Sequence, residues 1–399
     1  MSEVAYLLER FPSFGQTFCY REVAELERQG AKVHVYSIRR PVDEPKQDWD
    51  EQLVRQVHYL PEENALVREV DRLVREGKVS DTTRETVEKW GRQSDFLRLY
   101  QAVYVGQRMQ QNGIRHLHAH FAGMAARTAF WINQFFGIPY SFTAHANDIF
   151  APRDFAVSLA KLLSNAAAIV TVSDYAAEFL RNRFPEVSSR VHRIYNGVDL
   201  SMFKQSTPST GPIKLLSIGR LIEKKGFGYL IDAASLLRDR GFEFECKIIG
   251  DGPERGSLQK SIQTHRLEKH VELTGPLSQP EIVDLLAQSS IFVFPAVHDR
   301  SGDTDNLPTV LIEAMASRLT LVATDVAGIP EILCHKENGI LLPEKDPIQL
   351  ADAIQYLGSN RELLDLYGRT SRQLAERKFS LQTTTGALRR IFEQFNLVA

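Results

Sequence analysis

The feature that most constrains the fold of this chain is the alternation of short apolar runs with longer amphipathic stretches. In the first half, Val4–Leu8 and Val33–Ser37 are predicted strands, and Leu117–His120, Tyr140–Ala144 and Ala168–Val172 are candidates for buried strands. Helical spacing follows the first of them, through Thr17–Gln29. Short buried strands that alternate with amphipathic helices are typical of βαβ units, so the pattern predicts an α/β protein with parallel sheets.

A second set of apolar runs begins after a change in composition. Its members are Ile213–Ile218, Cys246–Ile249, Val271–Leu273, Ile291–Phe294 and Leu319–Ala323. Phe203–Pro212, with two prolines and several small polar residues, is typical of a linker. Because 399 residues exceed one ordinary hydrophobic core, we predict domains at 1–206 and 207–378, followed by a C-terminal segment, 379–399.

Residues 41–95 interrupt the alternation. They are charged and have helical spacing in Ala65–Glu76 and Thr82–Arg92, which predicts a solvated helical insertion. An element that contacts an acceptor or a membrane surface is the alternative. Its mixed charges differ from those of a basic amphipathic anchor.

Charge and cysteine content exclude several classes of protein. A net charge of -2 lacks the overall basic character of a nucleic-acid-binding protein. Cys19, Cys246 and Cys334 are too scattered for a disulfide framework or a structural zinc site. The first residues lack the basic-then-apolar order of a signal peptide, and no apolar run reaches the ~20 residues of a membrane span. We therefore expect a cytoplasmic protein.

The segment Ser217–Gly226 joins an apolar run to a predicted helix at Tyr229–Leu237. Gly219 allows a turn, and Arg220 and Lys225 place two cations beside the helix N-terminus. Free N–H groups, the helix dipole and a guanidinium all favour a diphosphate there. The alternative is an ordinary strand-to-helix loop with solvated cations.

Two carboxylates, Asp305 and Glu313, flank Pro308 and an apolar helical run. Proline is well placed at the start of a helix. A glutamate within so apolar a helix needs a partner, and a ribose diol offers two hydroxyl donors. Asp305 would then face a sugar at the helix mouth. A helix-terminal acid and a salt-bridged core glutamate are the alternative.

Histidines occupy alternate positions at His116, His118 and His120. On a strand, His118 and His120 point to one face, as in a metal-binding pair, but no ligand of another type occurs at matching spacing. We expect them to line a cleft at the strand end. His145 follows another apolar run directly, and Asp148 is a nearby carboxylate.

These motifs together resemble the retaining glycosyltransferases of family 4, which have the GT-B fold. The matching residues occur in the family's order: Val172–Asp174, Tyr195–Asp199 with Phe203, Gly219–Leu221 with Lys225 and Gly226, Gly250–Pro253, Gly275, Asp305 and Glu313 ahead of Ala314–Ala316, Gly328–Glu331, and Asn338 with Gly339. Asp305 stands where the family commonly has glutamate. Gly302 and Asp303 resemble the branch that builds exopolysaccharides such as colanic acid.

The resemblance implies two Rossmann-like domains that face each other across a deep cleft, with the C-terminal helix, Ser380–Phe395, packed on the first domain. It implies catalytic roles for His145, Arg220, Lys225 and Asp305, and acceptor-side positions for His118, His120 and Asp148. The implied donor-binding residues are Gly15, Gln16, Gly219, Arg220, Lys225, Gly250, Pro276, Leu277, Asp305, Asn306, Leu307, Pro308, Thr309 and Glu313.

The implied reaction moves a sugar from a UDP- or GDP-sugar to a carbohydrate or lipid-linked hydroxyl, with retention of configuration and without a metal or cofactor. Exopolysaccharide assembly at the inner membrane face would permit peripheral membrane contact. The resemblance implies no nucleic-acid partner. A GT-B epimerase, a phosphorylase with pyridoxal phosphate and a non-catalytic nucleotide-sugar-binding subunit are the alternatives.

Overall fold

The computed structural model describes residues 3–42, 49–90, 95–151, 154–206 and 211–396. The chain forms two compact units. The first comprises Met1–Val172, Ala176–Ile194 and Thr384–Ala399, and the second comprises Ser173–Tyr175 and Tyr195–Thr383. The predicted boundary at 206/207 adjoins residues 207–210, which lie outside the described residues, as do 43–48 and 91–94 of the predicted insertion and 397–399 of the predicted C-terminal segment.

The first unit is built on a parallel sheet of seven strands in the order β3-β2-β1-β4-β5-β6-β7. The strands are β1 (Glu3–Arg10), β2 (Lys32–Arg39), β3 (His58–Tyr59), β4 (Leu117–His120), β5 (Tyr140–Ala144), β6 (Ala168–Thr171) and β7 (Val191–Arg193). Both faces are covered, so β4, β5 and β6 are buried along their full length.

In the part of the chain that the structure describes, ten α-helices accompany this sheet. Nine of them are α1 (Thr17–Arg28), α2 (Glu51–Arg55), α3 (Glu63–Arg75), α4 (Asp81–Trp90), α5 (Leu97–Gln111), α6 (Met124–Phe136), α7 (Asn147–Phe150), α8 (Leu159–Asn165) and α9 (Asp174–Arg183). The tenth is the C-terminal helix α17 (Leu381–Asn396), which belongs to this unit from Thr384 onward. That last helix packs on α1 and β1. Arg389 Nη1 donates to the carbonyl of Gln29 at 2.8 Å, and Phe392 meets the ring of Tyr6 edge-on.

The second unit contains a parallel sheet of six strands in the order β10-β9-β8-β11-β12-β13. The strands are β8 (Ile213–Ile218), β9 (Phe244–Ile249), β10 (Val271–Gly275), β11 (Ile291–Phe294), β12 (Thr320–Thr324) and β13 (Gly339–Leu342). The helices are α10 (Phe227–Asp239), α11 (Arg255–Thr264), α12 (Gln279–Gln288), α13 (Thr309–Ala316), α14 (Ile329–Ile332), α15 (Pro347–Gly358), α16 (Arg361–Lys378) and α17 (Leu381–Asn396), whose later residues belong to the first unit.

The strand order places a topological switch point in each sheet. It lies between β1 and β4 in the first unit and between β8 and β11 in the second. Connections leave such a point in opposite directions, which opens a crevice at the carboxyl ends of the strands, where α/β proteins bind ligands. A ligand-binding site is therefore expected in the loops that follow these four strands.

The structure confirms the predicted α/β class with two parallel sheets. The predicted strands lie within two residues of those observed. β3, β7 and β13 were not predicted; β3 and β7 have only two and three residues, too few to show a period. β3 also lies within the segment predicted to be helical. Among the described residues, no helix has the length and apolarity needed to cross a bilayer.

Candidate functional site

The loop after β8 carries the first group of predicted site residues. Gly219 N–H donates to the carbonyl of Ile249, and a short 3-10 turn at Glu223–Lys225 leads into α10. Gly226 lies at this junction with φ +66°, and a Cβ there would lie 1.8 Å from the carbonyl oxygen of Pro295. Only glycine fits, because the loops after β8 and β11 touch through their backbones.

Two lysines and two aspartates meet at the β8/β11 switch point. Lys225 Nζ lies 2.6 Å from Asp305 Oδ2 and 4.9 Å from the centre of the Phe294 ring. Lys224 Nζ lies 3.0 Å from Asp303 Oδ2 and 3.7 Å from Asp305 Oδ1. The four side chains are only 13–19 % exposed, so their charges interact in a partly desolvated setting.

The same cluster contains polar oxygens that lack hydrogen bonds within the described part of the chain. They are Thr304 Oγ1 and Asp305 Oδ2. Asp305 Oδ2 is nevertheless paired with the Lys225 ammonium at 2.6 Å, so Thr304 Oγ1 is the oxygen of the two that has no charged or hydrogen-bonded partner among the described residues. Buried oxygens of this kind are usually satisfied by water or by a ligand, and neighbouring acceptors suit a polyhydroxylated molecule.

The segment from Asn306 to Glu313 forms the entry of α13. Asn306 is buried, and its Oδ1 accepts a hydrogen bond from Ser173 Oγ at 2.5 Å. Its carbonyl accepts from Gly328 N–H, which fixes the chain just before the helix. Leu307 and Pro308 are buried behind this turn, whereas Thr309 and Glu313 are partly exposed.

The other predicted residues of the second unit lie on loops at the same edge of its sheet. Arg220 is exposed, and its guanidinium makes no hydrogen bond or ion pair with any other described residue. Gly250 follows β9, and its N–H donates to the carbonyl of Gly275. Pro276 and Leu277 follow β10, where Pro276 is exposed.

Lys224 and Asp303 complete the charged cluster at the β8/β11 switch point, and the sequence analysis gave neither of them a role in the site.

In the first unit, His118 is internal. It is 0 % exposed, and its ring nitrogens lie 2.8 Å from Ser141 Oγ and 3.0 Å from Thr143 Oγ1. Both ring nitrogens are thus occupied by side-chain hydroxyls of the neighbouring strand β5. The ring stabilises the sheet and has no nitrogen left to bind an acceptor substrate. His116, which is also buried, bonds to Ser141 as well, and burial lowers its pKa to about 3.

His120 is also buried, at 2 % exposure, so it does not line an open cleft. Its Nε2 lies 3.0 Å from Glu22 Oε1, and its Nδ1 lies 3.2 Å from His145 Nε2. One ligand atom each from Glu22, His118 and His120 lies within 4.8 Å of the others, which is close enough for a metal ion. Since the ring nitrogens of both histidines already make hydrogen bonds, we assign these residues to a hydrogen-bonded network.

His145 lies directly after β5 and is 8 % exposed. Asp148, near the start of α7, accepts hydrogen bonds from the backbone N–H groups of Ala122, His145 and Ala146 at 2.7–3.2 Å. Burial raises the pKa of Asp148, although these backbone donors oppose the shift. Its carboxylate therefore fixes the loop that carries His145.

Gly15 and Gln16 lie in a 3-10 turn, Phe14–Gln16, between β1 and α1. Gly15 is exposed and Gln16 partly exposed, at the carboxyl edge of the first sheet. Glu22 follows on α1, and sequence reasoning missed it. No local spacing connects it to His120, which is 98 residues away along the chain.

Comparison with known proteins identifies relatives of both units. The family described as Glycosyltransferase Family 4 matches residues 15–202, and Glycosyl transferases group 1 matches residues 199–374. A putative colanic acid biosynthesis glycosyltransferase, WcaL of Escherichia coli, is 32% identical over 49% of this chain and 48% of its own. The amylovoran biosynthesis glycosyltransferase AmsK of Erwinia amylovora is 40% identical over 35% of this chain and 34% of its own.

The match thus spans about half the length of WcaL and a third of that of AmsK. Among solved structures, HepE of Anabaena in complex with UDP superposes with a TM-score of 0.72. It is 16% identical and covers 98% of this chain and 100% of its own. At that identity the likeness shows the fold alone, which is the predicted GT-B fold.

Proposed function

This chain belongs to the group 1 glycosyltransferases of family 4, and from that premise we propose that it transfers a sugar from a nucleoside diphosphate sugar to a hydroxyl acceptor. The observation that carries the proposal is the partly buried cluster of Lys224, Lys225, Asp303 and Asp305 at the switch point of the second sheet. Cations beside acceptor oxygens suit a ligand with phosphates at one end and hydroxyls at the other.

The diphosphate would bind at the loop between β8 and α10. Lys225 and Arg220 supply positive charge, and α10, a 13-residue helix, begins with Gly226 as its N-cap residue and has no side-chain cap. Free N–H groups at a helix N-terminus bind phosphate oxygens. The exposed guanidinium of Arg220 can engage a phosphate in bidentate fashion without first breaking an ion pair.

The sugar would bind near Thr304, whose Oγ1 lacks a hydrogen bond to described residues, and near Asp305, whose Oδ2 is paired with Lys225. A sugar hydroxyl would satisfy Thr304 Oγ1, and a second one would donate to the Asp305 carboxylate. The ribose would bind to Glu313, the partly exposed acid of α13.

Replacing Glu313 with glutamine tests the ribose contact. We expect the Kd for a nucleoside diphosphate to rise roughly 10- to 100-fold, since a hydrogen bond to a charged group contributes about 1.5–3 kcal/mol. Titration calorimetry measures this change. Glu268→Gln, an exposed position before β10, is the matched control and should leave the Kd unchanged. An unaltered Kd in Glu313→Gln would show that the ribose does not bind to Glu313.

The proposed chemistry is transfer with retention on one face of the sugar. The bond from the anomeric carbon to the diphosphate oxygen breaks, the acceptor hydroxyl oxygen forms the new bond, and the leaving diphosphate takes the hydroxyl proton. Lys225 and Arg220 would stabilise the charge that develops on the leaving group. His145 would contact the donor sugar, as the family resemblance implies.

Because these fixed cations take the part that Mg²⁺ plays in many nucleotide-sugar enzymes, the transfer rate should be the same with EDTA as with added Mg²⁺. A radiolabelled-sugar transfer assay measures both rates. Restoration of activity only by Mg²⁺ after EDTA treatment would contradict this part of the proposal.

For the acceptor, we propose a carbohydrate or lipid-linked intermediate of exopolysaccharide assembly at the inner membrane face. The names of WcaL and AmsK support this pathway. A thermal-shift screen with UDP-, GDP- and ADP-sugars identifies the donor. Incubation of that donor without an acceptor separates a transferase, which leaves the sugar's configuration unchanged, from an epimerase, which does not.

A further inference from the structure

Two arginines of the first unit are buried although much of their hydrogen-bonding capacity is unused. Arg98 is 6 % exposed and Arg127 is 2 % exposed. Arg127 Nε donates to Asp95 Oδ2 at 2.6 Å, whereas Arg98 Nε lies 3.6 Å from Asp95 Oδ1, too far for a hydrogen bond. Nη1 of each arginine makes no hydrogen bond within the described part of the chain. The two guanidiniums therefore share the carboxylate of Asp95.

The charges of this group do not balance. Arg98 and Arg127 carry two positive charges against the one negative charge of Asp95. Arg39 and Glu9, near the ends of β2 and β1, pair with each other at 3.2 Å and add no net charge. Burial lowers the pKa of Arg98 to about 10 against the attraction of Asp95, so its guanidinium is still charged at neutral pH. A buried cation in excess is costly unless an anion binds to it.

The two arginines also lie where helices favour anions. Arg98 is the second residue of α5 and Arg127 is the fourth residue of α6, so each lies in the first turn of its helix. Neither helix has a side-chain cap, and neither has an acidic residue in its first turn. The N-terminal end of a helix is the positive end of its dipole, which disfavours cations and favours anions. Two guanidiniums and two helix ends thus concentrate positive charge around Asp95.

We propose that Arg98 and Arg127 form a binding site for an oxyanion of the phosphate class, with their Nη1 groups as donors. Guanidinium N–H groups match the geometry of phosphate oxygens. Asp95 stays in place as the partner of Arg127, and the single negative charge of a phosphate diester would balance the remaining positive charge.

The anion would reach this site past Phe155. The ring of Phe155 covers one side of the Arg127 guanidinium, whose central carbon lies 3.4 Å from the ring centre. Phe155 is partly exposed and lies in the loop between α7 and α8. Rotation of this side chain would uncover Arg127 without a movement of either helix.

Within the proposed function, on which this step rests, the anion would be the phosphate that joins the acceptor sugar to its lipid. α6 follows β4, so Arg127 lies near the carboxyl edge of the first sheet, the edge that also carries His145 after β5. Ligands of α/β proteins bind at that edge. Asp95 ends the segment 41–95, for which contact with an acceptor was one of the two predictions from sequence.

Titration calorimetry of the full-length protein with inorganic phosphate tests the site without donor or acceptor. Sodium chloride keeps the ionic strength constant, and all proteins carry Lys225→Ala, which weakens the proposed diphosphate site of the second unit. Arg98→Met keeps the side-chain length, removes the charge and should raise the Kd for phosphate roughly 10- to 100-fold. Arg55→Met makes the same substitution at an exposed arginine that is paired with Glu51, and it should leave the Kd unchanged. Equal Kd values for Arg98→Met and Arg55→Met, or no phosphate binding at all, would overturn the proposal.

Thermal unfolding separates an anion site from a purely structural role of Arg98. Because Arg98 has few partners of its own, Arg98→Met should unfold in phosphate-free buffer at the wild-type midpoint or above it. Phosphate should raise the midpoint of the wild type and not that of Arg98→Met. A lower midpoint of Arg98→Met in phosphate-free buffer, or failure of this variant to fold, would show that the fold itself needs the cation and would contradict the proposal.

Acceptor kinetics test the link to sugar transfer. The acceptors carry one sugar in three forms: linked to a polyprenyl diphosphate in detergent, as a soluble glycosyl phosphate, and as a methyl glycoside. Arg98→Met should raise the KM for the lipid-linked acceptor roughly tenfold or more, and leave the KM values for the methyl glycoside and the donor unchanged. An equal rise with the glycosyl phosphate would show that the phosphate is sufficient, and a rise with the lipid-linked acceptor alone would identify the lipid-linked form as the ligand.

The two proposals fail in different ways. If phosphate binds as expected but no donor and acceptor give transfer, the proposed function fails and the anion site stands. If transfer occurs but Arg98→Met has the wild-type KM for all three acceptors, the proposed function stands and the role of this site in acceptor binding is wrong.

Discussion

Replacing Lys225 with alanine is expected to lower the rate of sugar transfer roughly 10²–10³-fold, as found when one preorganised charge-stabilising group is removed from an enzyme. The ammonium lies in a partly desolvated cluster, 2.6 Å from Asp305, where water cannot fully replace it. The effect should fall mainly on kcat, because charge on the leaving diphosphate grows as the bond breaks. Steady-state kinetics with the identified donor measures it.

Two further variants sharpen this test. Lys225→Arg keeps the charge and should retain more activity than Lys225→Ala. Lys260→Ala removes an exposed lysine of α11 and should have no effect. Removal of Lys225 leaves the Asp305 carboxylate with Lys224 as its remaining cation among the described residues, in a partly desolvated setting, so the thermal midpoint of Lys225→Ala should fall. The rates are therefore compared at a temperature where both proteins are folded. Equal rates for Lys225→Ala and Lys260→Ala would exclude Lys225 from charge stabilisation.

The second large effect is expected from Gly226→Ala. A methyl group there would lie 1.8 Å from the carbonyl oxygen of Pro295, at a residue with φ +66°. The left-handed backbone and the forced movement of the loop after β11 together should lower the free energy of unfolding by about 3 kcal/mol. Urea denaturation measures this change, and donor binding should weaken with it because both loops carry site residues.

Gly228 provides the control, since it lies two residues further along, within α10. Nothing lies within 4 Å of a Cβ added there. Gly228→Ala should therefore raise the stability by up to about 1 kcal/mol, the difference in helix propensity. A loss of stability in Gly228→Ala equal to that in Gly226→Ala would show that any side chain in this segment is harmful and that the Pro295 contact is not the cause.

Local pattern alone predicted most of the architecture. The apolar run Ile291–Phe294 is a strand with those limits, because strands buried on both faces favour uninterrupted apolar residues. Tyr140–Ala144 is also a strand with the predicted limits, although it contains Ser141 and Thr143. The same criterion fails for β3, His58–Tyr59, whose two residues have no detectable period. Local pattern also led to Lys225, Asp305 and Glu313, since charged residues at the ends of strands and helices stand out in an apolar background.

Other features of the candidate site depend on residues that are distant in sequence. Lys224 and Asp303, 79 residues apart, pair because their loops meet at one switch point. Glu22 lies beside His120 only because α1 packs against the end of β4. His118, expected at the acceptor side, is internal, since Ser141 and Thr143 on the neighbouring strand β5 bond to both of its ring nitrogens.

The sequence by itself determined the α/β class, the two sheets and the loops that carry charge, because hydrophobic period and glycine position act over a few residues. Only the tertiary structure decided which charges pair, which histidines are buried and which is held by Glu22. The desolvation and the hydrogen bonds of a side chain depend on the neighbours that the strand order brings together. The strand order cannot be predicted from the spacing of residues within a short segment.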